Sequence, residues 1–268
     1  MKRIITLTTD FGLKDYYVGA MKGVILSINP DVIITDITHE IVSQDVFKAA
    51  FILRNFYHYF PQGTIHIVVV DPGVGSRRKP IVVQADNYIF LGPDNGIFTF
   101  IYNELKSVKA FKISNAKYIL PKVGSTFDGR DVFAPAAAHL SLGVPVGDLG
   151  RQIRKPVKLQ IKEPVVRGSE IKGEVIYIDS FGNLITNIPA QLIKPKSRVY
   201  IGGEVIKGIS QSYAEVPKGE LLAIIGSTGF LEISVSHGSA LDMVETRLSS
   251  TKSKKIKKVK HIPCVIQI

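Results

Sequence analysis

Apolar positions along the first half of the chain switch repeatedly between two periods. Residues 3–9, RIITLTT, read as a buried strand. Residues 16–29, YYVGAMKGVILSIN, carry Tyr17, Met21, Val24, Ile25 and Ile28 at helical spacing, and Pro30 stops the run. VIITDIT at 32–38 predicts a second strand, and SQDVFKAAFILRNFYHYF at 43–60 a second amphipathic helix with Ser43 as its cap. TIHIVVVD at 64–71 predicts a third strand, its Val68–Val70 run continuous enough to be buried on both faces. PIVVQA and YIFLG predict further strands, and VFAPAAAHLSLG a later helix. Strands alternating with helices imply an α/β domain, a largely parallel sheet flanked by helices. Ligands of such sheets sit outside the carboxyl ends of the strands.

Near residue 150 the pattern changes. Residues 150–170 are polar and interrupted by Pro156 and Pro164, which predicts a linker over 153–168 between an α/β domain at 1–152 and a second domain at 169–268. GEVIYID, SRVYIGG, LLAIIGS and FLEISVS follow, short β-rich runs separated by Gly, Ser and Pro. They predict a smaller all-β domain, a sandwich or a barrel.

Composition narrows the class. The chain has 268 residues, 45% of them hydrophobic and 21% charged, as in ordinary globular proteins with real cores. No apolar run approaches the ~20 residues of a membrane helix. The basic start and short β-branched run that follows it lack a signal peptide's apolar region, and a single cysteine, Cys264, forms no internal disulfide; both point to a reducing cytoplasm. The net charge of +11 points at first to nucleic acid. Seven of those charges lie between Arg247 and the C-terminus with no acid among them, and without them the chain carries +4. Ile256, Val259 and Ile262 alternate with those lysines, which favours a half-buried strand with a lysine-rich protective face over a nucleic-acid arm.

Candidate chemistry lies in glycine-containing acidic turns after the strands. TTDFGLKD holds Asp10 and Asp15; DITHE holds Asp36, His39 and Glu40; VVVDPGVGSRR holds Asp71, Arg77 and Arg78. Each has a local reading: Asp10 as a turn former, Pro72-Gly73 as the centre of a type II turn, His39 and Glu40 as a hydrogen-bonded pair. Asp128 and Asp131 in STFDGRDVFAP read as capping groups for the helix that follows. GVGS lacks the closing Gly-Lys-Ser/Thr of a phosphate loop, and no His/Cys spacing suits zinc.

Together the turns resemble one family. TTDFGLKDYYVGAMKG, DITHEI, VVDPGVGSRR, GPDNG, TFDGRDVFAPAAA, IDSFGNLITNI and GSTGFLEISV occur in order across nearly the whole chain, in the pattern of the S-adenosyl-L-methionine hydroxide adenosyltransferases, relatives of fluorinase and chlorinase. The resemblance implies attack of water or hydroxide on ribose C5′, releasing adenosine and L-methionine, with no metal and no cofactor. It implies a homotrimer with sites at subunit interfaces. By similarity Asp71, Arg78 and Asp128 are catalytic, with Arg78 preferred over Arg77. Asp10 binds the ribose hydroxyls and Asp15 faces the substrate ammonium. Asp179 and Ser227 contact the methionine part, Asn183 reads the adenine edge, Phe181 and Tyr213 pack on adenine or ribose, and Val235 supplies a backbone contact. Two departures matter. Asp71 stands where the halogenases carry an aromatic, which favours water over halide. Asp128 stands where the family has a histidine, so a weakly catalytic adenosine- or S-adenosylmethionine-binding protein is the alternative, with halide-dependent transfer less favoured.

Overall fold

A computed structural model describes residues 3–122, 124–250 and 262–268, in two compact units, Met1–Gln160 and Ile161–Ile268. In the first unit, strands β1 (Ile4–Thr9), β2 (Ile33–Thr38), β3 (Ile65–Val69), β4 (Pro80–Ala85), β5 (Tyr88–Pro93), β6 (Val108–Lys112) and β7 (Gln152–Ile153) form one sheet in the order β2-β1-β3-β5-β4-β6-β7. Its helices are α1 (Tyr17–Ile28), α2 (Val46–Phe56), α3 (Thr99–Glu104) and α4 (Ala134–Ser141).

The sheet is mixed rather than largely parallel. β2, β1, β3 and β5 run parallel, but β4 pairs antiparallel with both β5 and β6, and β6 with β7. The cause is local: only Asp86 and Asn87 separate the paired residues Ala85 and Tyr88, and Asp86 adopts φ +47°. A two-residue connection can join only antiparallel neighbours.

Alternation along β1 and β3 explains the two cores. Ile5, Leu7, Ile65, Ile67 and Val69 meet Met21 and Ile25 of α1 and the alanines of α4. Val68 and Val70 face the opposite way, onto Ala49 and Leu53 of α2. The chain passes from β1 to β2 on one side, then returns across β1 to β3. Strand order therefore reverses between β1 and β3, where doubly wound sheets open their ligand crevice. The cap of α2 is Asp45, whose carboxylate accepts the Lys48 N–H at 3.1 Å, and not Ser43.

Close packing of these strands yields a test. A Cβ at Gly92 on β5 would run into the Val68 carbonyl oxygen and lie 3.0 Å from the Phe98 ring. Gly92→Ala should therefore destabilise the protein by about 1–3 kcal/mol in chemical denaturation; a wild-type midpoint would contradict this close packing.

In the second unit, β8 (Val165–Arg167), β9 (Glu170–Ile178), β10 (Leu184–Pro189), β11 (Arg198–Ile201), β12 (Glu204–Lys207), β13 (Leu221–Ile225), β14 (Phe230–Val235) and β15 (Pro263–Gln267) pair antiparallel in the order β12-β11-β15-β9-β10-β14-β13, with β8 on β9. The sheet is barrel-like and nearly closed: the Ser210 N–H, just beyond β12, reaches the Ala223 carbonyl on β13 at 2.8 Å. The unit is not all β. Helix α5 (Ala240–Ser250) buries Ala240 and Val244 in the barrel core, one i,i+4 pair too sparse to stand out as a helical stripe. β15 lies between β11 and β9, so it is an interior strand, and the lysines that suggested a protected edge fall outside the described residues.

Candidate active site

Asp10 follows the end of β1 and Asp71 the end of β3, two adjacent parallel strands in register at Thr9 and Val69. Both acids line one cavity of about 660 Å³, which Asp128 and Arg130 also line together with Phe11, Tyr17 and Phe127. The three rings pack edge to face or tilted, with centroids 5.2–5.9 Å apart. The cavity thus combines an aromatic wall with carboxylates at the strand ends, a construction suited to a small organic ligand with polar groups.

The Asp10 carboxylate is fixed by the backbone N–H of Gln44, which reaches Oδ2 at 2.9 Å. Gln44 holds φ +67°, unusual for a residue with a side chain, and also lines the cavity. The turn carrying Asp10 is braced from below. His39 is buried, with Nδ1 2.8 Å from Thr9 Oγ1 and Nε2 3.2 Å from Asp36 Oδ1. Its side-chain partners are therefore Thr9 and Asp36, not Glu40. Asp36 is also held by Lys22 at 2.5 Å.

At the centre lies a chain of alternating charges. Arg78 Nε donates to Asp71 Oδ1 at 3.1 Å and Nη2 to Asp71 Oδ2; the same Nη2 donates to Asp128 Oδ2 at 2.8 Å. Lys122 Nζ donates to Asp128 Oδ1 at 2.5 Å. The side chains of Asp71, Arg78 and Asp128 are 6–8% exposed, and that of Lys122 is 40% exposed. Arg78, not Arg77, is the guanidinium brought to both carboxylates. Burial holds the Asp71 carboxyl above its usual range, against the opposing pull of Arg78 and with a smaller push from Asp128.

Local sequence explains this arrangement. The positive φ in DPGVGSRR falls on Gly75 and not on Gly73, so the type II turn is not centred on Pro72-Gly73. The Asp71 carbonyl accepts the Val74 N–H, and the Gly73 carbonyl the Ser76 N–H, folding Arg78 back onto Asp71. Asp128 is not a capping group: its carboxylate makes no cap bond, and Asp131 is bound by Arg130 at 2.7 and 3.1 Å. Residues Gly129–Phe133 form a π-helical turn leading into α4, a feature frequent at functional sites. Pro135 has no N–H to give the Asp131 carbonyl four residues back, and the Leu120 N–H takes that acceptor at 2.8 Å. That bond docks the segment bearing Lys122 beside Asp128.

His66 and His139 lie outside the cluster. His66 is wholly buried among aromatic rings, with Nδ1 2.8 Å from Thr6 Oγ1, and burial depresses its pKa to about 3. His139 sits within α4 against Tyr118, lowered by burial and then by Lys117.

The remaining candidates divide. Asp15 is exposed and does not line the cavity. In the second unit, Asp179 accepts the N–H groups of Phe181 and Asn183 and the Asn183 side-chain amide, each at 2.9 Å. The Phe181 ring stands 76% exposed on this turn. Tyr213 donates to Glu232 Oε1 at 2.7 Å, a bond that with burial and the nearby acids raises its hydroxyl to about 12. Ser227 is exposed in the turn between β13 and β14, and the Val235 carbonyl accepts the Gly238 N–H at 3.1 Å. Sequence reasoning missed Gln44, Lys122 and Glu232. Only Glu232 carried a signal, an acid inside an apolar strand; the other two depend on loop conformation.

Comparison with known proteins agrees with this picture. The family models for the SAM hydroxide adenosyltransferase N-terminal and C-terminal domains match residues 5–150 and 173–251. A (R)-S-adenosyl-L-methionine hydrolase from Methanocaldococcus jannaschii is 39% identical over 246 residues, covering 86% of this chain and 88% of that protein. Its counterpart from Thermus thermophilus is 36% identical over 250 residues, covering 89% and 94%. A fluorinase from an Actinoplanes species is 29% identical over 212 residues, covering 69% and 71%. A solved structure of an uncharacterized conserved protein from Thermotoga maritima superposes with a TM-score of 0.87 at 36% identity, covering 98% of this chain and all of that one. With both domains matched and relatives above 30% identity along most of its length, the chain belongs to the SAM hydroxide adenosyltransferase family.

Proposed function

We propose that the protein hydrolyses S-adenosyl-L-methionine to adenosine and L-methionine. The observation that carries this reading is the buried Asp71–Arg78–Asp128 cluster at the carboxyl ends of the parallel strands. Water attacks ribose C5′ as the C5′–S bond breaks. The bond pair passes to sulfur, the sulfonium becomes a neutral thioether, and the water yields one proton. The leaving group needs no acid, so the residues have two tasks: alignment of the nucleophile and acceptance or solvation of its proton. Asp71 orients the water and Arg78 fixes Asp71. Arg78 Nη1, buried and without a protein partner among the described residues, is a donor for the oxygen of that water. Asp128, in place of the family's histidine, holds Arg78 from its other side. A buried carboxylate in the nucleophile's position disfavours a halide by like-charge repulsion.

Asp10, preset by the Gln44 N–H, binds the ribose hydroxyls. Asp15 faces the ammonium group, and its exposure fits a role in a site completed on assembly. Asp179 and Ser227 contact the methionine part, Asn183 and the Val235 backbone contact adenine, and Phe181 and Tyr213 cover the nucleoside, contributed by a neighbouring subunit of a homotrimer. The exposed Phe181 ring supports this assignment, since a large apolar side chain on a turn gains from being covered. No metal or cofactor takes part.

Product analysis tests the reading. Incubation with S-adenosyl-L-methionine in halide-free buffer should give adenosine and methionine in equal amounts. Formation of 5′-halo-5′-deoxyadenosine only when chloride or fluoride is added would instead assign halide transfer. Saturable binding without turnover would mark a binding protein, and recovery of turnover in Asp128→His would then trace the defect to Asp128.

A further inference from the structure

We propose that Lys122 is a positioning residue of the active site: its ammonium neutralises Asp128, so that the Arg78 guanidinium stays committed to Asp71. The inference rests on the reading of Asp71, Arg78 and Asp128 as the hydrolytic cluster.

Charge count is the starting point. One guanidinium stands between two carboxylates, all three side chains more than nine-tenths buried, so the trio alone carries one uncompensated negative charge. An uncompensated buried charge is costly and is relieved by taking up a proton or by moving its partner. Lys122 completes the balance. Its Nζ occupies Asp128 Oδ1 at 2.5 Å while Arg78 Nη2 occupies Oδ2 at 2.8 Å, so each oxygen of Asp128 has its own cation. Both donors of Arg78 toward Asp71, Nε and Nη2, then remain engaged there.

Lys122 is also held in place by the fold. The Leu120 N–H is bound to the Asp131 carbonyl freed by Pro135, and Pro121 restricts the backbone between Leu120 and Lys122. The other ionisable groups that line the cavity are engaged elsewhere. Arg130 is paired with Asp131, Asp10 accepts the Gln44 N–H, and Tyr16 and Tyr17 belong to the aromatic wall. Lys122 is therefore the second cation bound to the cluster among the described residues. An ordinary surface ion pair between an exposed lysine and an acid has almost no effect on its surroundings. This pair differs because its acid is buried and shares a guanidinium with a second buried acid.

The test compares wild type, Lys122→Gln and Lys122→Arg, each alone and with Asp128→Asn. Two readouts are used: the pH profile of S-adenosyl-L-methionine hydrolysis and a ¹³C NMR titration of the aspartate carboxyl groups in substrate-free protein. In Lys122→Gln the acid limb of kcat and the carboxyl titration of the Asp71–Asp128 pair should both move up by about one pH unit, as expected when a contacting cation is lost. KM should stay within about twofold, since Lys122 does not line the cavity. Lys122→Arg should restore both positions. In the Asp128→Asn background, Lys122→Gln should move neither, because the charge it balanced is gone. Titrations of Lys122→Gln that coincide with wild type would overturn the proposal and reduce the contact to a surface pair. A wild type that does not hydrolyse the substrate, yet shows the Lys122-dependent carboxyl titration, would strike only the hydrolytic reading.

Discussion

Asp71→Asn should lower kcat for S-adenosyl-L-methionine hydrolysis by about 10²–10⁴-fold, the usual worth of a positioned proton acceptor, while ligand affinity stays within a few-fold. The substitution keeps the volume and one acceptor oxygen, so the cavity and the Asp10 side of the site remain. It removes the negative charge to which the proposed mechanism assigns the orienting of water and the acceptance of its proton. Stopped turnover with calorimetric binding intact is the expected pair of results. Equal losses in both would assign Asp71 to ligand binding instead. The wild-type pH profile should carry the same signature. Burial holds Asp71 above the ordinary value of 3.8, and the proposed role requires the ionised form, so the acid limb should have its midpoint above 3.8.

Arg78→Met should be the most damaging single change for the fold around the site. It leaves Asp71 and Asp128 buried, with Lys122 alone beside them. Breaking a buried ion pair from one side costs about 3–5 kcal/mol. Chemical denaturation at neutral pH should show a loss of that order. The sign of its pH dependence follows from the acids. Without Arg78 the folded-state pKa of Asp71 rises further above its unfolded value. Such an acid penalises folding above its folded-state pKa, and the penalty is relieved as pH falls through it. The gap between wild type and variant should therefore narrow on acidification. A gap that is constant or widens would show that the guanidinium acts by packing, for instance against Phe133, whose ring centre lies 5.9 Å from its Cζ. Arg78→Lys should recover part of the stability but not the two-point grip on Asp71.

Much of this site was legible in the chain because its acids are local features of strand ends. Asp10 and Asp71 each close an apolar β run and precede a glycine, and that pattern alone places them at the carboxyl edge of a sheet. The pairing of Arg78 with Asp71 was expected only from the family resemblance, and the glycine-rich turn that folds it back is a feature of the structure. Asp128 was half legible. Its neighbours Asp131 and Pro135 announce a helix start, and helix capping is the natural assignment for an acid there. In the folded chain it gives its oxygens to Arg78 and Lys122 instead, 50 residues upstream and six residues upstream. The sheet shows the same division. Strands β1 to β5 were visible and β6 and β7 were not, and the direction of β4 depends on a two-residue turn at Asp86-Asn87 that lacks the usual glycine, so the reversal left no clear mark in the pattern.

The sequence by itself determined the alternation of strands and helices, the shift to short strands beyond residue 150, and the acids at the ends of β1 and β3. These follow from side-chain period and from residues that end a strand, both properties of neighbours along the chain. The tertiary structure decided which charges meet. Whether Asp128 caps a helix or shares a guanidinium, and whether Lys122 is a free surface charge or a half-exposed cation bound to a buried cluster, depends on distances between segments that the local pattern does not encode. The physical reason is the cost of burial. Once packing of the β1–β3 edge against α1 and α4 has removed water from Asp71 and Asp128, each needs a cation, and the fold brings Arg78 and Lys122 within reach.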